Sequence, residues 1–286
     1  MRYIHRCIDF LLYSNIWIAG AATALYLYSK YYFTTDLSFD LVALFVFCTC
    51  IWLYSLHRFI GLGRVHISES SYRYRQIHRF KIPFQILAIV SFVGSILLVT
   101  QLSWTQMLML VIPGILSLLY ILPVFSKRRR LRDFHYIKLF IIAFVWGGLT
   151  VLLPLESCAD CHFNNTTFLL FLERSMFVFA LTLPFDIRDL SIDQIDGVKT
   201  LATVLGIRGV WLTSLLLLTL SSSLYVYFFS TQQIGAPILY IHLTTNIITL
   251  LCIMLAFWQQ QDWYYTGILD GTMFLPYLLL SLYLVG

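Results

Sequence analysis

The sequence predicts an all-α membrane protein, a polytopic bundle of nine transmembrane helices, and three observations predict it. The 286 residues are 59% hydrophobic and 12% charged, where soluble domains carry roughly a quarter charged residues. Mean hydropathy is +0.81. Apolar runs of about 18 residues or more, the length that crosses a hydrocarbon core of about 30 Å, recur along the whole chain, and the charges gather between them.

In order, the runs lie near 8–30, 39–60, 82–101, 104–125, 136–155, 168–185, 209–230, 235–257 and 267–286. The first follows Arg2 and Arg6 and contains Ala22-Thr23-Ala24, which imitates a cleaved signal peptide. Its apolar part exceeds the roughly 7–15 residues of such a signal, so a retained helix is expected. Pro113, Pro123, Pro154 and Pro184 fall where membrane helices tolerate a kink, near helix ends or cavities. No short-period repeat or low-complexity linker interrupts the series. One domain over 1–286 is expected, with enlarged loops near 61–81 and 186–208.

Placing the N-terminus inside puts all but Lys30 and Arg174 of the 19 Lys and Arg in the inner segments. Basic residues in short loops mark the cytoplasmic side. The N-terminus and both enlarged loops are therefore expected in the cytoplasm and the C-terminus outside. The net charge of +5 then reads as an insertion signal and an anionic-lipid contact, and implies no nucleic-acid partner.

The segment "DIRDLSIDQIDG", residues 186–197, holds four of the 14 acidic residues, Asp186, Asp189, Asp193 and Asp196. Their spacings of 3, 4 and 3 place them within about 80° of one another if the helix continues past the bilayer. Such neighbours repel by a few tenths of a kcal/mol per pair, and a cation relieves the repulsion. Hard carboxylate oxygens suit Mg²⁺, which typically takes one or two protein carboxylates together with substrate phosphates. The same pattern also describes solvated charges on a helix leaving the membrane, balanced by Arg188 and Lys199. Spacing alone leaves both readings open.

The longer stretch "FDIRDLSIDQIDGVKTLATVLG", residues 185–206, resembles the second aspartate-rich motif of the UbiA superfamily of intramembrane prenyltransferases. The matching residues are Asp189 and Asp193, then Gly197, Lys199, Thr200, Leu201, Leu205 and Gly206, and Asp186 fits members with an acid three positions earlier. The resemblance implies a helical bundle around a central cavity open to the membrane. It implies Mg²⁺ on Asp189 and Asp193, with Asp186 in support, bound to the diphosphate of a polyprenyl donor whose allylic carbon passes to an aromatic or other lipid-soluble acceptor. Lys199 would stabilise the departing diphosphate. The setting implied is a bacterial inner membrane, with quinone biosynthesis among the pathways served.

The family's first acidic motif is missing. The corresponding stretch reads "LYSLHRFIGLGR", residues 53–64, and no acid lies between Asp40 and Glu69. Three explanations compete. His57 and Arg58 contact the diphosphate directly, Arg58 through a bidentate fork; or Arg58 pairs with the aspartates in a chain that has lost catalysis; or the cavity binds an isoprenoid or quinone-like lipid without cleaving it. The basic blocks "SYRYRQIHRFK" (71–81) and "SKRRRLRD" (126–133) read first as topogenic charge. Arg73, Arg75, Lys127 and Arg128 are their candidates for the diphosphate site, and Tyr120 followed by Lys127 and Arg128 loosely resembles the family's pattern after its fourth helix.

On the opposite side "CADCH", residues 158–162, satisfies the C-x-x-C-H signature of c-type haem attachment. The loop of about a dozen residues is too short to wrap a haem, which disfavours Cys158, Cys161 and His162 as a haem site. A disulfide, a weak metal site with His162 and plain thiols remain. Cys7, Cys48, Cys50 and Cys252 read as small apolar residues. The aromatic content marks interfaces and packing and assigns no site.

Overall fold

The structure is a computed structural model that describes residues 2–62, 72–126, 129–158, 161–190, 197–259 and 261–286. Among the described residues eight helices are long and apolar enough to cross a membrane, and a bent pair near the N-terminus makes a ninth when counted as one span. The helices are α1 (Arg2–Tyr13), α2 (Ile16–Thr34), α3 (Leu41–Leu62), α4 (Tyr72–Arg79), α5 (Lys81–Val99), α6 (Trp104–Ile121), α7 (Ile137–Gly147), α8 (Asn165–Arg188), α9 (Leu201–Ser230), α10 (Ala236–Ala256) and α11 (Leu275–Val285). A π turn (Gly148–Leu152) extends α7 to Leu155, and α11 is entered through a π turn (Tyr264–Leu269) and a 3₁₀ turn (Asp270–Phe274).

The expected run 8–30 is therefore broken. α1 and α2 meet at 61°, because Asn15 adopts a left-handed conformation (φ 70°) and its amide donates to Ser55 Oγ at 3.0 Å. This bend frees α2 to occupy the centre of the bundle. Ala19, Ala21, Ala22 and Ala24 are buried, and small side chains let neighbouring membrane helices approach closely. α5 and α6 lie at the periphery and present Ile86, Ile89, Val90, Ile112 and Ile115 outward, as lipid-facing helices should.

Other boundaries also shift for local reasons. α6 stops at Ile121, short of the expected 125, because Leu122 is extended ahead of Pro123, whose ring disfavours the α conformation in the preceding residue. α9 begins at Leu201 rather than 209 and kinks at Gly206 (φ 62°, ψ −179°). The basic segment 71–81 was expected as loop. Its middle forms α4, and Phe80 beside it stacks edge-on to Phe10 of α1 at 5.6 Å.

A buried polar clamp holds α8, α9 and α10 together. Ser221 Oγ donates to Glu173 Oε1 at 2.9 Å and lies 3.0 Å from His242 Nε2, and Asn246 donates to Ser221 Oγ at 3.0 Å. Arg174 extends the clamp to α2 by donating to the Leu25 carbonyl at 3.4 Å. In hydrocarbon such groups are costly unless they find one another.

Candidate active site

The site is assembled at the bundle end where α3 and α6 finish, α7 begins and α8 finishes. Above it, toward the membrane centre, lies a cavity of about 230 Å³ between α3, α6 and α7. Its walls are apolar: Phe45, Leu53, Leu110, Ile141, Val145, Trp146 and Leu149 among them. His57 and Tyr120 line its polar end. Along α3 the lining runs from Phe45 to His57, about 18 Å at 1.5 Å per residue.

Cations converge on that polar end. Arg132 contacts His57 Nε2, and its guanidinium lies over the Tyr120 ring, 5.4 Å from the centroid. The turn that carries Arg132 is fixed by Asp133, which accepts from the Arg130 backbone N–H at 2.8 Å and from its guanidinium at 2.9 Å. Burial pushes the Asp133 carboxyl up, but these hydrogen bonds outweigh it and hold the group below its usual range. At the first turn of α7, Lys138 Nζ lies 2.8 Å from Asp186 Oδ1, with both side chains buried.

The acidic side is the C-terminal end of α8. The helix stops at Arg188, with Asp189 as its cap. Arg188 grips both Asp189 oxygens, Nε to Oδ1 at 2.8 Å and the terminal nitrogen to Oδ2 at 3.1 Å. Its other nitrogen is 3.9 Å from Asp262, and its guanidinium lies over two neighbouring rings, Phe185 at 4.9 Å and Tyr265 at 5.3 Å.

The candidates named from sequence thus fall into groups. Asp186, Asp189 and His57 lie at this end, Asp186 paired with Lys138 and Asp189 with Arg188. Arg58 donates to the Tyr13 carbonyl where α1 ends. Lys199 contributes its backbone, donating to His135 Nδ1 at 3.0 Å and accepting from the Tyr136 N–H at 3.0 Å, while its side chain is exposed. Arg75 is exposed on α4. The Arg73 side chain, Lys127, Arg128, Asp193 and Asp196 lie outside what the structure describes. Among the described residues no three His, Cys, Asp or Glu side chains converge as a metal site. Asp186 and Asp189 are hard donors of the right kind for Mg²⁺, which needs only one or two protein carboxylates when a phosphate completes the shell. Sequence reasoning missed Arg132, Lys138 and Arg188 as individual residues of the site. For Lys138 the signal was present, a lone cation at the start of an apolar run.

Neither a family model nor a curated protein matches the chain by sequence. Solved structures do match by shape. One described for the biosynthesis of digeranylgeranylglyceryl phosphate synthase in membranes superposes with a TM-score of 0.58 at 16% identity, over 97% of this chain and 98% of that one. An apo structure of a UbiA homolog from Aeropyrum pernix K1 gives a TM-score of 0.58 at 14% identity over the same shares. The chain has the UbiA fold. The apolar helices and this likeness make it an integral membrane protein.

Proposed function

We propose that the protein is an intramembrane prenyltransferase. The isoprenoid tail of a polyprenyl diphosphate occupies the apolar cavity, and its diphosphate sits at the polar end among His57, Arg132 and Lys138, with Asp189 and Asp193 as the acids of its metal. The observation that supports this is the cavity itself, an apolar slot with cations gathered at its polar end. That is the shape and charge of an amphiphile with a long hydrocarbon tail and an anionic head.

The chemistry follows from the charges. When the bond from the allylic carbon to oxygen breaks, the bonding pair leaves with diphosphate. The Arg132 fork and the Lys138 ammonium stabilise that growing negative charge where water is scarce. The carbon left behind is cationic, and the rings of Tyr54, Tyr120 and Trp146 around the cavity offer their electron-rich faces to it. An aromatic or other lipid-soluble acceptor then supplies the electron pair for the new bond and loses its proton. Mg²⁺, held by Asp189 and Asp193 with Asp186 in support, would add Lewis-acid stabilisation to the same phosphate oxygens. Arg58 and Lys199 reinforce the head-group end, and Arg73, Arg75, Lys127 and Arg128 are further candidates to hold the diphosphate. The whole of 1–286 forms one membrane domain with the N-terminus and the site in the cytoplasmic half, in a bacterial inner membrane.

A second reading has its own support. Asp189 is held on both oxygens by Arg188, and the first acidic motif is replaced by cations. A protein that only binds an isoprenoid or quinone-like lipid would show both features. Diphosphate release separates the readings. The purified protein in nanodiscs, given geranylgeranyl diphosphate, a pool of aromatic acceptors and Mg²⁺, should release diphosphate, and the Asp189→Asn/Asp193→Asn variant should not. Binding of the donor without release by the wild type would replace the enzyme reading with the binding one.

A further inference from the structure

The C-x-x-C segment plays no part in that chemistry. It lies at the far end of α8 from Asp189: the helix runs for 24 residues, about 36 Å at 1.5 Å per residue, and Cys161 precedes its first turn. Cys158 and Cys161 are joined as a disulfide, while Cys7, Cys48, Cys50 and Cys252 are free thiols.

This disulfide is poorly placed to act as a staple. A cross-link restrains the unfolded chain more the longer the loop it closes, and this one skips only two residues. The Cys161 N–H also donates to the Cys158 carbonyl at 3.2 Å, so a backbone turn already closes the same segment. The flanks are pinned without the sulfurs. Glu156 accepts from Thr105 at 2.5 Å, Ser157 Oγ meets the Tyr26 hydroxyl at 3.4 Å, and Asn164 caps α8 by accepting from the Thr167 N–H at 2.9 Å. The bond can open while the ends of its loop stay where they are. Both cysteines are partly exposed and His162 is exposed, so a second thiol can reach the sulfurs from solvent.

We propose that Cys158 and Cys161 form a thiol–disulfide exchange site that accepts two electrons from a thiol reductant at that face of the membrane. In the first step a reductant thiolate attacks one sulfur; a mixed disulfide forms, the Cys158–Cys161 bond breaks, and the other cysteine leaves as thiolate and takes a proton. A second thiol then attacks the mixed disulfide, releasing the oxidised reductant and leaving two cysteine thiols. Accessible disulfides that contribute little to the fold are the ones that exchange. This proposal does not depend on prenyl transfer.

The test is a redox titration of the intact protein in nanodiscs. The tryptic peptide between Lys138 and Arg174 contains Cys158 and Cys161 and no other cysteine, so alkylation of that peptide, read by mass, reports this pair alone. Across buffers of rising reduced-to-oxidised glutathione ratio, the pair should pass from unlabelled to doubly labelled. The same curve should appear whether the protein starts oxidised or reduced. Cys158→Ser with oxidised glutathione should give a single glutathione adduct on Cys161, and dithiothreitol should remove it. The Cys158→Ser/Cys161→Ser double variant should unfold within a few degrees of the wild type. Three results would each overturn the proposal: a pair that resists reduction until denaturant is added, a pair that stays reduced under oxidised glutathione, or a double variant that fails to fold.

Discussion

Gly114 offers a direct test of what the cavity holds. It lines the cavity on α6, and a Cβ built on it meets nothing within 4 Å. Gly114→Leu should therefore extend into the cavity without moving the backbone, and replacing an interior helical glycine should add roughly 0.8–1 kcal/mol of helix stability. Gly114 is six residues from Tyr120 at the polar end, about 9 Å at 1.5 Å per residue, so the leucine blocks the slot near half of its roughly 18 Å depth. A long tail displaced from the slot still finds lipid, which is as apolar as the cavity wall. The penalty is therefore one of position rather than lost burial. A tail that cannot seat holds the diphosphate out of register, and a shift of about 1 Å at a reacting centre costs about a hundredfold. Measured as diphosphate release, kcat/KM for geranylgeranyl diphosphate should fall by about that factor, while geranyl diphosphate, which fits below the block, should be turned over nearly as before. Equal losses for both donors, or no loss for the long one, would refute the assignment of the tail to this cavity.

Lys138→Met should leave Asp186 buried without its cation and cost about 3–5 kcal/mol of stability, with Lys138→Met/Asp186→Leu recovering most of it; thermal unfolding in detergent reads both. Arg132→Ala should weaken binding of inorganic diphosphate by more than tenfold in calorimetry, a loss of about 1.5–3 kcal/mol for a charged hydrogen bond, and Arg132→Lys should restore only part because the planar fork is gone. The depressed Asp133 group stabilises its turn above its unfolded pKa of about 3.9 and loses that stabilisation as pH falls through the lower folded value. Diphosphate binding by the wild type should thus change little from pH 6 to about 4.5, whereas Asp133→Asn should bind more weakly at every pH in that range. Glu173→Ala should destabilise by about 1–3 kcal/mol by stranding Ser221 and His242, and Glu173→Gln should cost less in the same unfolding assay.

The spans were legible because hydrocarbon leaves a chain few options: each long apolar run had to become a helix that satisfies its own backbone. What interrupted them was not. The break at Asn15 depends on one amide reaching Ser55, forty residues away, and no local pattern records such a partner. In the site, Asp186 and Asp189 stood out because acids are rare in this chain, and His57 because a recognisable motif lacked its acids there. Arg132 could not be picked out from "SKRRRLRD" because a topogenic cation and a ligand-binding one look alike in sequence. What distinguishes it is its contact with His57 and the Tyr120 ring, in a turn that Asp133 holds in place through Arg130. Arg188 was hidden in another way, since it reads as the counter-charge of the neighbouring aspartates until its burial is known, whereas Lys138 was legible as a lone cation at the start of an apolar run.

The charges in the spans differ in how soon the growing chain can answer them. Lys30 finds Asp36 at 2.8 Å and Asp40 at 2.9 Å, both within ten residues downstream. As α2 leaves the ribosome its cation is neutralised by what emerges next, so this largely buried helix can enter lipid early and wait there. Glu173 has Arg174 beside it at 3.7 Å, but Ser221 is 48 residues later and His242 later still. α8 must therefore pass through the insertion machinery with its acid only half answered. It becomes secure in the bilayer only when α9 and α10 arrive, which makes synthesis of the last third of the chain the step that commits the membrane domain to its final form.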